Sequence, residues 1–190
     1  MVTQMENEAY TSTKNQTKAE PEPWHTLVRF DELQKWQQDN QYILSGYRRA
    51  SYSYLRSLQS MFHWHNESIN IWTHFLPGLL FVPLAFFLYD ALKSRYEMAS
   101  SADAYAMSCF LVCVGSGMLM SGMFHTLSNH SPKVAKFWNH LDHAGIAFMI
   151  WGSFVPSIFY GFWCESALKQ TYWTMVSESG VQSWIRSDMQ

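Results

Sequence analysis

His125 and Ser121 stand four residues apart in SGMFH, so on a helix their side chains share one face about one turn apart. Asp142 follows in LDHAGI, beyond a short polar stretch. Neutral imidazole is the commonest metal ligand in proteins, and a carboxylate at its side can orient the ring, ligate directly or hold a metal-bound water. His125 is therefore the candidate metal ligand, with Asp142 and Ser121 as candidate catalytic groups. A plainer assignment uses the same residues: His125 reaches an interface and Asp142 caps a helix. Other histidines have ordinary roles at hand. His74, in IWTHF, suits an interhelical hydrogen bond. His130, His140 and His143 read as loop side chains, and His63 and His65, in MFHWHNESINIW, as part of an interfacial aromatic belt.

The elements that position these groups are read from where charge is missing. Charged residues make up 15% of the 190 residues, against roughly 25% in an average soluble domain, and they are unevenly spread. No Asp, Glu, Lys or Arg occurs between Glu67 and Asp90, between Asp103 and Lys133, or between Asp142 and Glu165. Apolar runs of this length can cross a bilayer, and none carries the charged stripe that a helix in a water-soluble bundle needs. The expectation is an all-α, multi-span helical membrane protein with spans at about 69–89, 104–127 and 143–163, within a membrane domain over 67–164.

The flanking segments are of another kind. Residues 1–23 are polar, lack the apolar core of a cleaved leader and read as a disordered tail. Within 24–66, Leu27, Phe30, Leu33 and Trp36 recur at three-residue steps with Asp31, Glu32 and Lys35 between them, which predicts an amphipathic, interfacial helical segment. Arg29, Lys35, Arg48, Arg49 and Arg56 precede the first span, whereas Lys93 and Arg95 after it are set among Asp90, Glu97 and Asp103. That bias predicts a cytosolic amino terminus. His125 and Asp142 then both fall near the inner leaflet, at either end of one short loop. Pro77, Pro83 and Pro156 are expected to bend their spans, and Gly115, Ser116, Gly117, Ser121 and Gly122 give the second span a small-residue face for close packing.

Several classes are excluded or disfavoured. A net charge of -2 argues against a nucleic-acid partner. Three widely spaced cysteines in apolar sequence, Cys109, Cys113 and Cys164, do not make a disulfide scaffold and read as packing residues. No phosphate-binding glycine loop, paired-cysteine metal motif or serine nucleophile with a neighbouring base appears.

Longer stretches resemble a known family. YILSGYR at 42–48, HNESINIWTH at 65–74, SGMFHTLSNHS at 121–131 and LDHAGI at 141–146 follow in the order and approximate spacing of the progestin and adipoQ receptor family, related to hemolysin III, and FYGFWC at 159–164 and YWTM at 172–175 also look like it. The resemblance covers roughly residues 30–176. It implies a seven-helix bundle with a cytosolic amino terminus and a zinc ion near the inner leaflet. His125 matches the family's zinc-ligating histidine on the second helix, Asp142 the aspartate beside the zinc-bound water, and Ser121 the serine one turn before the histidine. Membrane lipids, and a lipid or hormone ligand, are the partners implied. The functions implied are receptor signalling in lipid, sterol or zinc homeostasis, or zinc-dependent hydrolysis of a lipid amide of the ceramide type.

The sequence also departs from that pattern. After Val176 it turns polar, in SESGVQSWIRSDMQ, and no His-x-x-x-His pair of the sort the family carries on its seventh helix occurs. The expectation is a chain truncated after its third span, with 165–190 as the start of a fourth and a divergent tail. It would hold only part of the Zn2+ site, and a non-functional fragment is a further reading.

Overall fold

The computed structural model describes residues 23–95, 98 and 100–187. The expected polar tail therefore lies, except for Pro23, outside the described residues. A short hairpin comes first, pairing β1 (Leu27–Arg29) antiparallel to β2 (Ser45–Arg48), with Val28 opposite Tyr47. Five helices follow: α1 (Tyr54–Gln59), α2 (Ser68–Arg95), α3 (Ser101–Leu127), α4 (Pro132–Gly161) and α5 (Ser166–Ser187). The class is the expected one, all-α with several spans.

The hairpin corrects the helix expected near residues 24–40. On an α-helix of about 3.6 residues per turn, strict three-residue steps drift around the axis, so Leu27 and Trp36 would end on opposite sides and no common stripe would form. The same spacing suits 3-10 turns, and two occur, at Phe30–Glu32 and Lys35–Gln37. Leu27 is 41% exposed, while Val28, Leu33 and Tyr47 are buried together with Phe30 against them. Gly46, at φ +89°, supplies the left-handed backbone in β2 that a side chain would resist.

Three helices are long and apolar enough to cross a membrane: residues 68–88 of α2, and the whole of α3 and α4. Their outward surfaces are apolar, with Phe86 78% and Phe87 67% exposed, as side chains solvated by acyl chains should be. Helix α3 opens on a capping box in which Ser100 Oγ accepts from the Asp103 N–H and the Asp103 carboxylate accepts from the Ser100 N–H. Helix α4 opens at Ser131-Pro132, with proline in the first turn, where its missing N–H costs nothing. Helix α4 thus starts before the residues expected to span, at 143–163. Asp142 lies well inside α4 rather than at its cap, and His140 and His143 are helical, His143 Nδ1–H donating to the Asn139 carbonyl at 2.7 Å.

Helix α3 packs between α2 and α4. A Cβ on Gly145 would stand 3.2 Å from the Gly117 Cα, so the backbones of α3 and α4 are in contact there. On the other side, a Cβ on Gly122 would meet the Phe75 ring at 2.8 Å. That close approach brings the first turns of α2 beside the last turns of α3. Cys113 is buried against Gly152, as a packing cysteine should be, whereas Cys164 is exposed. Helix α5 runs on through Ser187 and packs on α4, but is not among the helices apolar enough to span.

Candidate functional site

One end of the bundle is tied to the hairpin by buried polar contacts. The Ser51 and Tyr52 N–H groups donate to the carbonyls of Asn129 and His130 at 2.8 and 3.0 Å, and the Asn129 amide donates to the Arg49 carbonyl at 3.1 Å. Arg48, at the end of β2, is only 8% exposed. Its guanidinium donates to the carbonyls of His125 and Thr126, at 2.6 and 2.9 Å, and to the hydroxyls of Ser60 and Ser128, at 2.7 and 3.2 Å. These carbonyls belong to the last turn of α3, where no helical N–H remains to pair them and a cation is favoured by the helix dipole. Burial lowers the Arg48 pKa to about 10, against the supporting charge of Glu67, so the group stays cationic at neutral pH.

Beside Arg48 lies the candidate centre. His125, in the last turn of α3, has its Nδ1 2.8 Å from Oε2 of Glu67, which immediately precedes α2. Both side chains are largely shielded, at 18% and 17% exposure. The carboxylate also accepts from the Asn66 and Asn70 amides, each at 2.8 Å. Burial by itself would raise the Glu67 pKa. The hydrogen bonds from His125 and Asn70, with the charges of His125 and Arg48, outweigh it and hold the carboxyl below its ordinary 4.5. An ionised carboxylate only accepts, so the proton of a neutral His125 is on Nδ1 and the Nε2 lone pair is left for ligation.

His74, two turns into α2, contacts Ser121 Oγ through Nδ1 at 2.8 Å, and its ring meets that of His125 edge-on at 5.5 Å. Asp142 stands within α4, and no hydrogen bond among the described residues joins it to these groups. The structure therefore brings Ser121 and His125 into one cluster with His74 and Glu67. His130 is placed elsewhere, its ring centroid 4.2 Å from that of Tyr54 at the start of α1. Glu67 also lines a cavity of about 440 Å³ with Arg48, Asn66, Phe124 and Lys136.

Sequence reasoning missed Glu67 and Arg48. Glu67 served there only to mark where the charge-free stretch begins. An acid at the N-terminal boundary of an apolar helix, with asparagines on either side, was the available signal.

His65 supports this arrangement from outside the membrane. Its Nδ1 accepts the Glu67 N–H at 3.0 Å. Burial, then the charge of Arg48, push its pKa from 6.5 down to about 3. As pH falls below 6.5 the unfolded chain takes a proton that folded His65 refuses until near 3, and below 4.5 Glu67 acts in the same direction. Stability of the chain in lipid nanodiscs is therefore expected to decline through that window on acidification. His65→Asn keeps an acceptor for the Glu67 N–H and removes the titration, so thermal unfolding followed against pH should show a shallower decline. An unchanged slope would contradict the assignment.

The fold and this cluster define a multi-pass integral membrane protein with a buried histidine–carboxylate pair at one end of its spans. The pattern of the haemolysin-III-related family matches residues 62–188, and the chain belongs to that family. It is 36% identical over 164 residues to the adiponectin receptor protein of Drosophila melanogaster, covering 85% of this chain and 36% of that protein. It is 34% identical over 172 residues to progestin and adipoQ receptor-like protein 1 of Caenorhabditis elegans, covering 90% and 38%. With the human progestin and adipoQ receptor family member 3 it shares 34% identity over 155 residues, covering 77% and 47%. The chain thus spans less than half the length of these relatives.

The donor set bears on the zinc that the family resemblance implies. Among the described residues no group of three or more His, Cys, Asp or Glu side chains is arranged to hold a metal ion. A tetrahedral site needs more than His125 can offer. What fits is the preparation of a single ligand: His125, its Nδ1 held by Glu67 and its Nε2 open.

Proposed function

We propose that this chain belongs to a receptor-type membrane protein acting in lipid, sterol or zinc homeostasis signalling, with its amino terminus in the cytosol, and that His125 is one ligand of an intramembrane zinc site whose other ligands lie outside the described residues. The His125–Glu67 hydrogen bond carries this reading, because metal-bound histidines nearly always donate their second ring nitrogen to such an acceptor. The relatives named as receptors and the cationic bias ahead of the first span support it. When bound, zinc would clamp neighbouring helices or polarise a water. Glu67 holds the imidazole in the ligating tautomer, and Arg48 fixes the backbone carbonyl of His125 itself.

The test is a Zn2+ titration of the chain in nanodiscs, following the ring nitrogens of labelled histidines. His125 Nε2 is expected to respond first and weakly, and His125→Ala to abolish that response. A response confined to His25, His63 or His65 would overturn the assignment.

Hydrolysis of a lipid amide is the second reading, favoured by the contact between Ser121 and His74. With His74 protonated on Nδ1, the Ser121 hydroxyl accepts from it and its own proton is free to meet a developing oxyanion, while Asp142 orients or deprotonates a water. Amide hydrolysis that survives Asp142→Asn would remove this reading.

A further inference from the structure

Helix α1 is built inside out. With the 3-10 turn that follows, it covers Tyr54–Gln59 and Ser60–Phe62. Leu55, Leu58 and Phe62 recur at the steps of three and four residues that mark one helical face, and all are exposed, Leu55 at 65% and Phe62 at 77%. Ser57 and Ser60 take the other side and are buried. The Ser57 hydroxyl donates to the Asn129 side-chain oxygen at 2.8 Å, and that of Ser60 accepts from Arg48 at 2.7 Å. A helix on a water-soluble domain turns its leucines to the core and its serines to solvent. The reverse order suits surroundings that are themselves apolar.

The exposed arc is continuous with the surface that α2 presents to lipid. The Phe62 ring centroid lies 5.9 Å from that of Trp72, and the Trp72 indole N–H donates to the Met61 carbonyl at 3.1 Å. Trp72 shares its face of α2 with Ile69, Leu76 and Leu80, which are exposed within the stretch long and apolar enough to span. Phe62 therefore prolongs that face beyond the first turn of α2, and Leu58 and Leu55 carry it further along α1. Exposed Arg56 and Gln59 border the arc on one side, where long polar side chains can reach water.

We propose that α1 is an interfacial anchor, with Leu55, Leu58 and Phe62 inserted among the acyl chains of the leaflet from which α2 enters. Its partner is lipid, because no polar break separates the arc from the membrane-facing side of the span. The inward face of the same helix supplies Ser60 to Arg48, which also holds the Thr126 carbonyl, so α1 ties the bilayer to the end of α3. The anchor needs neither zinc nor the His125–Glu67 pair.

The test places a nitroxide label on the full chain in phosphatidylcholine nanodiscs. Cys164, the exposed one of the three cysteines, is replaced by serine, and that chain without an added cysteine is the blank. Leu58→Cys and Phe62→Cys carry the label on the arc, and Lys133→Cys carries it on the exposed first turn of α4. Oxygen concentrates among acyl chains and a nickel chelate stays in water, so relaxation of the label by each reports its surroundings. Oxygen is expected to outweigh the chelate in the Leu58 and Phe62 variants, and the chelate to outweigh oxygen in the Lys133 variant. Dominance of the chelate on the arc would put α1 in water, and shielding from both would put it under protein, such as a second copy of the chain; either result overturns the anchor. A second measurement needs no label. Leu55→Gln combined with Leu58→Gln should lower the thermal unfolding temperature in nanodiscs, since both amides would face acyl chains. An unchanged or higher temperature, as for leucines exposed to water, would equally overturn it.

Discussion

Arg48→Ala is expected to cost about 3–5 kcal/mol of stability, the range for removing one partner from a buried charged network. Four acceptors lose the Arg48 donor together, the carbonyls of His125 and Thr126 and the hydroxyls of Ser60 and Ser128, and of the two carbonyls only that of His125 keeps another side-chain donor, the Ser128 hydroxyl at 3.1 Å. Two of these are end-of-helix carbonyls, shielded from water by the hairpin, and no neighbouring N–H can take over. Glu67 loses the nearby cation that helps to keep it ionised. Thermal unfolding of the chain in nanodiscs measures this directly. Arg48→Lys should recover only part of the loss, since one ammonium cannot reach four acceptors spread across a planar fork. A shift within about 0.5 kcal/mol, as for an ordinary surface substitution, would show that β2 does not anchor α3.

Glu67→Gln tests the other half of the cluster with almost no change of shape. The carboxylate can only accept, which obliges His125 to carry its proton on Nδ1. A glutamine amide can donate instead, and the ring is then free to move its proton to Nε2, where a metal ligand needs a lone pair. Labelled ring nitrogens should report a shift of His125 toward the Nε2-protonated tautomer. Zinc affinity at His125 should fall by about 10–100-fold, the usual effect of losing such a supporting group. If the tautomer balance and the zinc response both match the unsubstituted chain, the carboxylate does not prepare His125, and the principal support for the zinc reading is lost. Glu67→Asp retains the charge but shortens the reach, so it should fall between the two.

The spans were legible because the signal is local: a run of about twenty residues without charge has few alternatives to a membrane helix, whatever surrounds it. Ser121 and His125 could be paired for the same reason, as one helical turn fixes their common face. The hairpin was not legible. Over one or two steps a three-residue spacing looks like one face of an α-helix, but over four residues so spaced it drifts around the axis and suits 3-10 turns, and the burial of Val28, Leu33 and Tyr47 in a small core of their own completes the choice. The start of α4 was misplaced because Lys133 and Lys136 suggested a loop. A helix can carry exposed lysines in its first turns, and both side chains are exposed there.

By itself, then, the sequence determined that the chain crosses a membrane as helices, which family it belongs to, and that a histidine and a serine share a face near the end of the second span. Only the tertiary structure decided what His125 faces. Glu67 is distant in sequence, and it meets His125 because α2 and α3 close on each other where Gly122 admits Phe75. Arg48 reaches the end of α3 because the chain folds back through a hairpin that no helical periodicity encodes. Hydropathy is summed along the chain, whereas a hydrogen bond to a buried ring depends on where two backbones are held in space.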